Sequence, residues 1–282
     1  MINAKTSINT QQMTLAFNKA ASQYHTAALL QQEIGQRLIE RLQDIDIKPK
    51  TVVDLGCGTG FLLQKLSAIF AKSHAIGIDI APAMVKIAQS HAPRWFSRQH
   101  FICADAHALP LANHSVDLII SNLMLQWCPD FKAVLRECQR ALTPNGVLLF
   151  ATLGPETLTE LRQSWAQVDD YNHVNQFIDI YQLGDFLFQL GMKNPVLDVD
   201  WITECFPDGM EMMRQLKTIG AHNVTAGRAK GLTGKQGLQK MLHHYERYRM
   251  AEGLPATYEV IYGLAYGGEK TPTADRVYFN PK

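Results

Sequence analysis

The stretch richest in possible chemistry is Val52-Val53-Asp54-Leu55-Gly56-Cys57-Gly58-Thr59-Gly60, an apolar run closing on an acid and then three alternate glycines. Glycine admits positive φ and lets backbone approach a ligand closely, and a helix starting after the loop would offer unpaired amides. The dinucleotide pattern Gly-x-Gly-x-x-Gly would need its last glycine at the position of Phe61, so the spacing disfavours that ligand class. Asp54 points the same way, because a carboxylate beside a pyrophosphate is repulsive whereas a cationic ligand tolerates it. Asp79 ends Gly77-Ile78-Asp79 and lies 19 residues beyond Gly60, where a carboxylate can accept both hydroxyls of a ribose. Asp105, in Cys103-Ala104-Asp105-Ala106, is placed either to meet an adenine amino group or to cap a helix.

Three acids at three consecutive strand ends, with this glycine loop, favour S-adenosylmethionine over NAD. We read Asp54, Gly56, Cys57, Gly58, Gly60, Asp79, Ile80, Ala104, Asp105, Ala106, Asn122 and Leu123 as its binding residues. Ser121-Asn122-Leu123-Met124-Leu125-Gln126-Trp127 should pass close to a transferred methyl group, with Gln126 as a hydrogen-bonding side chain and Trp127 as a wall or a core residue. Tyr24 is a candidate wall or hydrogen-bond donor, with helix packing as the plainer alternative. Phe177, in His173-Val174-Asn175-Gln176-Phe177, is a candidate for the same pocket or for the core. Tyr24, Gln126 and Phe177 form the candidate catalytic set, and no metal site is read.

Positioning these residues requires an α/β fold. Apolar residues at helical spacing predict one helix around Phe17 to Leu30 and a second over about 31–42, ahead of any strand. From Thr51 strands and helices alternate: strands at 51–55, 74–79, 101–104, 116–121 and 146–152, helices after Thr59, at Pro82 and over about 131–142. That alternation is the signature of a parallel sheet. Helices to about 167 and at 183–190 and strands at about 196–205 and 257–266 complete a mainly parallel seven-stranded, Rossmann-like sheet. Residues 208–254 are too long and too helical for a plain strand connection and read as a helical lid. The division is thus 1–50 entrance helices, 51–207 plus 255–267 cofactor domain, 208–254 lid, and 268–282 a polar tail expected to be poorly ordered.

The 282 residues are 46% hydrophobic, enough for a full core, and carry a formal net charge of only +1, which gives no reason to expect duplex binding through phosphate neutralisation. Five cysteines without a CxxC pair fit a reduced, cytoplasmic compartment. No apolar run is long enough to span a membrane and the N-terminus lacks a secretion signal pattern, so neither a membrane nor a nucleic-acid partner is expected.

The glycine loop resembles motif I of the class I methyltransferases. More narrowly, Ala16-Phe17-Asn18-Lys19-Ala20-Ala21-Ser22-Gln23-Tyr24, Asn122-Leu123-Met124-Leu125-Gln126-Trp127-Cys128, Thr152-Leu153-Gly154-Pro155-Glu156-Thr157-Leu158, Leu216-Lys217-Thr218-Ile219-Gly220-Ala221-His222-Asn223 and Gly231-Leu232-Thr233-Gly234-Lys235 resemble the malonyl-acyl carrier protein O-methyltransferases of early biotin synthesis. The resemblance covers about 17–266. It implies methylation of the free carboxyl of a malonyl thioester, which hides its charge from chain-elongating enzymes, and it implies an acyl carrier protein as partner. Asn18 stands where the family often has an acid, and Pro155 where a small residue is common.

Charge is segregated along the chain. Residues 214–249 hold eight Lys or Arg and one acid, whereas residues 156–211 hold eleven acids and two bases. Carrier proteins are acidic, so Arg228, Lys230, Lys235 and Lys240 are read as facing the carrier, with a solvated helical face as the alternative. Three other functions stay open at this point: a methyltransferase of a small quinone precursor or carboxylic acid, a cofactor-binding regulator without turnover, and nucleic-acid methylation. The last would want an Asn-Pro-Pro-Tyr-like motif where the chain has Asn122-Leu123-Met124-Leu125. Reversing two of the four basic charges is expected to raise KM for the carrier-linked acceptor; steady-state kinetics with an unchanged KM would remove the docking role.

Overall fold

The structure is a computed structural model that describes residues 8–93, 98–221 and 234–268. Two helices, α1 (Thr10–Ala27) and α2 (Leu29–Leu42), precede β1 (Thr51–Leu55), α3 (Phe61–Ile69), β2 (His74–Asp79), α4 (Pro82–His91), β3 (Gln99–Cys103), β4 (Val116–Asn122), α5 (Phe131–Ala141) and β5 (Leu142–Leu153). Then come α6 (Thr159–Ala166), α7 (Ile180–Gln189), β6 (Lys193–Phe206), α8 (Gly209–Thr218), α9 (Lys235–Tyr245) and β7 (Leu254–Tyr266). The seven strands lie in the order β3-β2-β1-β4-β5-β7-β6. β1 to β5 pair in parallel, and β7 runs antiparallel to both β5 and β6.

Strand order reverses between β1 and β4, and the crevice beyond their carboxyl ends is where such sheets bind ligands. The sequence fills both faces of this sheet by simple alternation. Val147, Leu149 and Ala151 of β5 join a core with Ile34 and Leu38 of α2, Leu62 and Leu66 of α3 and Met241 and Tyr245 of α9. Leu148 and Phe150, one residue out of step, join Val134 and Leu135 of α5 and Leu183 and Leu187 of α7 on the other face. Asp117 ties the two central strands at their start, its Oδ2 accepting from the Lys50 and Thr51 amides at 2.8 and 3.1 Å.

Several element ends differ from the sequence reading, each for a local reason. α5 stops at Ala141, and the ladder jumps from Val116↔Leu142 to Leu118↔Val147, so residues 143–146 bulge out while β5 continues on both sides. β6 starts at Lys193 because its first pair, Lys193↔Tyr266, precedes a register shift to Val196↔Leu264. α7 begins three residues earlier than expected, where Asp179 caps it by accepting from the Tyr181 amide at 2.8 Å. Between β6 and β7 the described residues include α8, capped by Asp208 accepting from the Glu211 amide at 2.8 Å, and α9. Arg228 and Lys230 lie outside the described residues, as does the tail from 269 onward.

The antiparallel seam between β5 and β7 depends on Gly263, whose place opposite Phe150 leaves no room for a side chain: a Cβ there would fall 2.0 Å from the ring. Gly263→Ala is expected to cost about 1–3 kcal/mol through overpacking. Urea unfolding checks this, and an unshifted midpoint would show that the ring has slack.

Candidate functional site

The site is built from the turn between β1 and α3. After Leu55 the Gly56 and Cys57 amides both donate to the Ile78 carbonyl, at 2.8 and 3.0 Å, and the Gly60 amide closes back on Cys57 O at 2.9 Å. Gly56, Gly58 and Gly60 have φ of 79°, 51° and 87°, values that an L side chain strains to adopt. A Cβ on Gly56 would sit 2.4 Å from the Met124 side chain, so the loop is pressed against the end of β4. Gly60 caps α3 without a side chain, leaving its first-turn amides for other acceptors.

The acids sit around this turn. Asp79 bridges the loop to α4, with Oδ2 accepting from the Gly58 amide at 2.9 Å and Oδ1 from the Ala81 amide at 2.8 Å. Burial raises its pKa, and those amides counter the rise. Asp54 is 1% exposed, and its Oδ2 has no hydrogen-bond partner. Burial, then the neighbouring Asp79 charge, pushes Asp54 up to about 8 against a hydrogen bond from the Leu63 amide. Asp105 is half exposed and engaged with His107, accepting from its amide at 2.9 Å and pairing with its Nδ1 at 2.6 Å. Burial disfavours its charge, but the His107 contacts outweigh that and hold its carboxyl below the usual range. Asp105 is thus a turn-former as well as a cleft residue.

A cleft opens between these groups beyond the carboxyl ends of β1, β2 and β4. Tyr24, Gly56, Gly58, Asp79, Ile80, Ala104, Asp105, Ala106, Asn122 and Leu123 line it, as do Phe17, Met84 and Met124. Asp54 and Cys57 instead line a smaller recess behind the glycine loop, shared with Tyr24, Gly56, Gly58 and Asn122. Gly60 lines neither; it lets the loop backbone approach α4, where a Cβ would come 3.1 Å from Ala88. Asn122 donates from Nδ2 to the Gln31 carbonyl of α2 at 2.8 Å, while its buried Oδ1 stays unpartnered. Asn18 accepts from the Ala83 amide at 2.9 Å, so a neutral side chain serves the start of α4.

A second cavity, of about 440 Å³, lies across a shared wall of Phe17, Tyr24, Leu123 and Trp127. Phe17 meets Trp127 edge-on at 5.2 Å and Tyr24 at 6.4 Å. Leu123 holds a left-handed φ of 52°, with its amide donating to Ala151 O at 2.8 Å and its carbonyl accepting from Gln126 Nε2 at 2.7 Å. Gln126 Oε1 in turn accepts from Thr152 Oγ1 at 3.2 Å, so both ends of that amide are spent on holding the wall. Burial, reinforced by the Asp79 charge, pushes the Tyr24 phenol up, which makes it a hydrogen-bond donor and not a base at neutral pH. Phe177 lines this second cavity, together with Trp165, His173, Asn175 and Lys217, which sequence patterns alone did not single out. Lys235 and Lys240 are exposed on α9 and line neither cavity. Among the described residues no group of three His, Cys, Asp or Glu is placed to hold a metal.

These features define a methyltransferase: the methyltransferase domain model matches residues 53–150, which span β1 to β5, and the YcgJ protein of Bacillus subtilis shares the fold with a TM-score of 0.60 at 16% identity, over 82% of this chain and 98% of that one. Malonyl-acyl carrier protein O-methyltransferases of Gallionella capsiferriformans and a Methylovorus species are 42% and 46% identical, covering 92% and 89% of this chain and 91% and 86% of theirs. The chain belongs to that family of O-methyltransferases. The fold and family imply S-adenosylmethionine, and the residues present suit it. The unpartnered, buried Asp54 Oδ2 and Asn122 Oδ1 are acceptors matched to a cationic amino acid.

Asp54 couples this site to stability. Its folded pKa of about 8 exceeds the ordinary carboxylate value near 4, so between these pH values the folded protein keeps a proton that the unfolded chain has lost. Stability therefore falls as pH rises across that window. Asp54→Asn is expected to flatten the fall and raise Tm near pH 8, while weakening S-adenosylmethionine binding by about tenfold or more through loss of a charge-assisted contact. Melting curves across pH and calorimetric titration test both effects, and a variant with wild-type pH dependence and affinity contradicts the assignment.

Proposed function

We propose that the chain transfers a methyl group to the free carboxyl of a malonyl group carried on an acyl carrier protein, giving the methyl ester that starts biotin synthesis. The observation that carries the reading is the wall of Phe17, Tyr24, Leu123 and Trp127 common to two cavities, one with Asp79 and Asp105 in its lining, the other with no Asp or Glu. The acceptor's identity is taken from relatives that bear that name at 36% to 46% identity.

When bound in the first cleft, S-adenosylmethionine supplies a methyl group on a sulfonium, which departs as a neutral thioether. In this reading Asp79 faces the ribose, Asp105 and the backbone of Ala104 and Ala106 face the adenine, and Asp54 faces the amino-acid end. A carboxylic acid with a pKa near 4 is already ionised at neutral pH, so no side chain has to remove a proton. That fits Tyr24, whose raised pKa bars it from acting as a base. The residues' work is to align and to exclude water. Leu123, fixed by Ala151 and Gln126, sets the wall; Phe17, Trp127 and Phe177 keep the second cavity dry. Gln126 is thereby a positioning residue, and Tyr24 is free to steer an acceptor oxygen through its hydroxyl. The exposed Lys235 and Lys240 on α9 give an acidic carrier a basic surface beside the segment that roofs the cavity, which acts as a lid.

Radiolabelled S-adenosylmethionine offered with malonyl carrier protein, malonyl-CoA and free malonate is expected to label the carrier-linked acceptor most efficiently. Absence of a methyl ester from all three would overturn the acceptor while leaving the methyl donor standing.

A further inference from the structure

Resting on the acceptor assigned above, we propose that Lys217 is the specificity-determining residue that pairs with the acceptor's ionised carboxylate. The second cavity is walled mainly by Leu, Trp, Val, Phe and Met side chains, and its lining contains no Asp or Glu. An anion entering such a space loses hydration and is stable there only beside a compensating charge. Two lining residues can be cationic, Lys217 and His173. His173 is already answered: its Nε2 pairs with Asp169 at 2.8 Å, and its ring stacks on Trp165 at 3.7 Å with the planes 5° apart. Lys217 has no ion-pair or hydrogen-bond partner for its ammonium among the described residues.

The placement of Lys217 follows from its helix. Met213, Leu216 and Lys217 of α8 lie three and four residues apart, hence on one face, and all three line the cavity. Ile219 and Ala221, just past the end of the helix, line the cavity as well, so the cation is set at the edge of an apolar roof. Gly220, with φ of 74°, turns the chain there close to α1: a Cβ on it would lie 3.3 Å from the Ala16 carbonyl and from Phe17, a wall residue of both cavities. An ammonium is a compact point charge and does not demand both carboxylate oxygens as a guanidinium fork does. One oxygen can rest on Lys217 while the other forms the bond to the methyl carbon. A neutral or singly apolar acyl group of the same length gains nothing from the contact, which is what makes the residue a selector of dicarboxylic monothioesters.

Two other roles are separable from this one. Lys217 lies in the last turn of α8, where a cation also favours the helix dipole, and an exposed lysine can touch a carrier protein. The test is Lys217→Met and Lys217→Arg with malonyl-CoA, which has no carrier protein, alongside malonyl carrier protein. Calorimetric binding of malonyl-CoA to the protein saturated with S-adenosylhomocysteine gives a readout independent of turnover. Lys217→Met is expected to raise KM and the calorimetric Kd for both thioesters by about tenfold or more, the loss of one charge-assisted contact, with Lys217→Arg recovering most of the affinity. A weakened KM for the carrier-linked acceptor alone would make Lys217 a docking residue and overturn the proposal. A lowered Tm with unchanged Kd for malonyl-CoA would make it a helix stabiliser and overturn it too. Wild-type protein that binds malonyl-CoA in a Lys217-dependent way yet forms no ester would instead sink the proposed reaction and leave the recognition standing.

Discussion

Two consecutive amides, Gly56 and Cys57, share one carbonyl, Ile78 O, and the site is arranged around that shared bond. It forces the chain to leave β1 in a turn that only glycine takes without strain, presses Gly56 on Met124 and brings Asp54 beside Asp79 under the loop. A single side-chain carbon at Gly56 would strike Met124, so the turn and the end of β4 are specified together. Because β4 also ends in Asn122 and the left-handed Leu123, the same constraint sets the wall between the two cavities. The ionic chemistry of one cleft and the apolar shape of the other are therefore consequences of one backbone turn.

The wall is stiff because its polar groups are paired among themselves. Thr152 holds Gln126, Gln126 holds the Leu123 carbonyl, and Ser121 Oγ donates to the Leu55 carbonyl at 2.8 Å, locking the ends of β1, β4 and β5 to one another. Such a fully satisfied network fixes a single geometry, which a reaction needing in-line approach requires. Catalytic demand here is for placement. Near the donor cleft Asp54 and Tyr24 are both disfavoured in their charged forms by burial, and neither is suited to be a base at neutral pH.

Much of this was legible in the sequence, and the limits are physical. The bounds of β1 and β2 and the carboxylates at the ends of the first two strands follow from glycine spacing and alternation, which are local properties. Asp105 was legible as a position but not as a partner of His107, since a two-residue turn depends on rotamers. Gln126 read as a side chain for chemistry because nothing local reveals that Thr152, 26 residues away, consumes its oxygen. Cys57 and Gly60 belong to the motif, but burial turns Cys57 to the recess and packing on Ala88 accounts for Gly60. His173, Asn175 and Lys217 meet only through the fold: two come from the stretch between α6 and α7 and one from α8, and no periodicity links them. The basic character of 214–249 was visible as composition, yet only the fold separates Lys217 at the cavity from Lys235 and Lys240 on the exposed side of α9.

The central claim is that donor and acceptor occupy separate cavities and meet at the wall formed by Tyr24 and Leu123. A crystal structure of the protein with S-adenosylhomocysteine and a non-hydrolysable malonyl thioester tests it most directly. The account predicts the sulfur in the cleft beside the glycine loop, the carboxylate in the second cavity, and one carboxylate oxygen facing the sulfur past Leu123. A carboxylate seated outside the second cavity, with S-adenosylhomocysteine still beside Asp54 and Asp79, would contradict it.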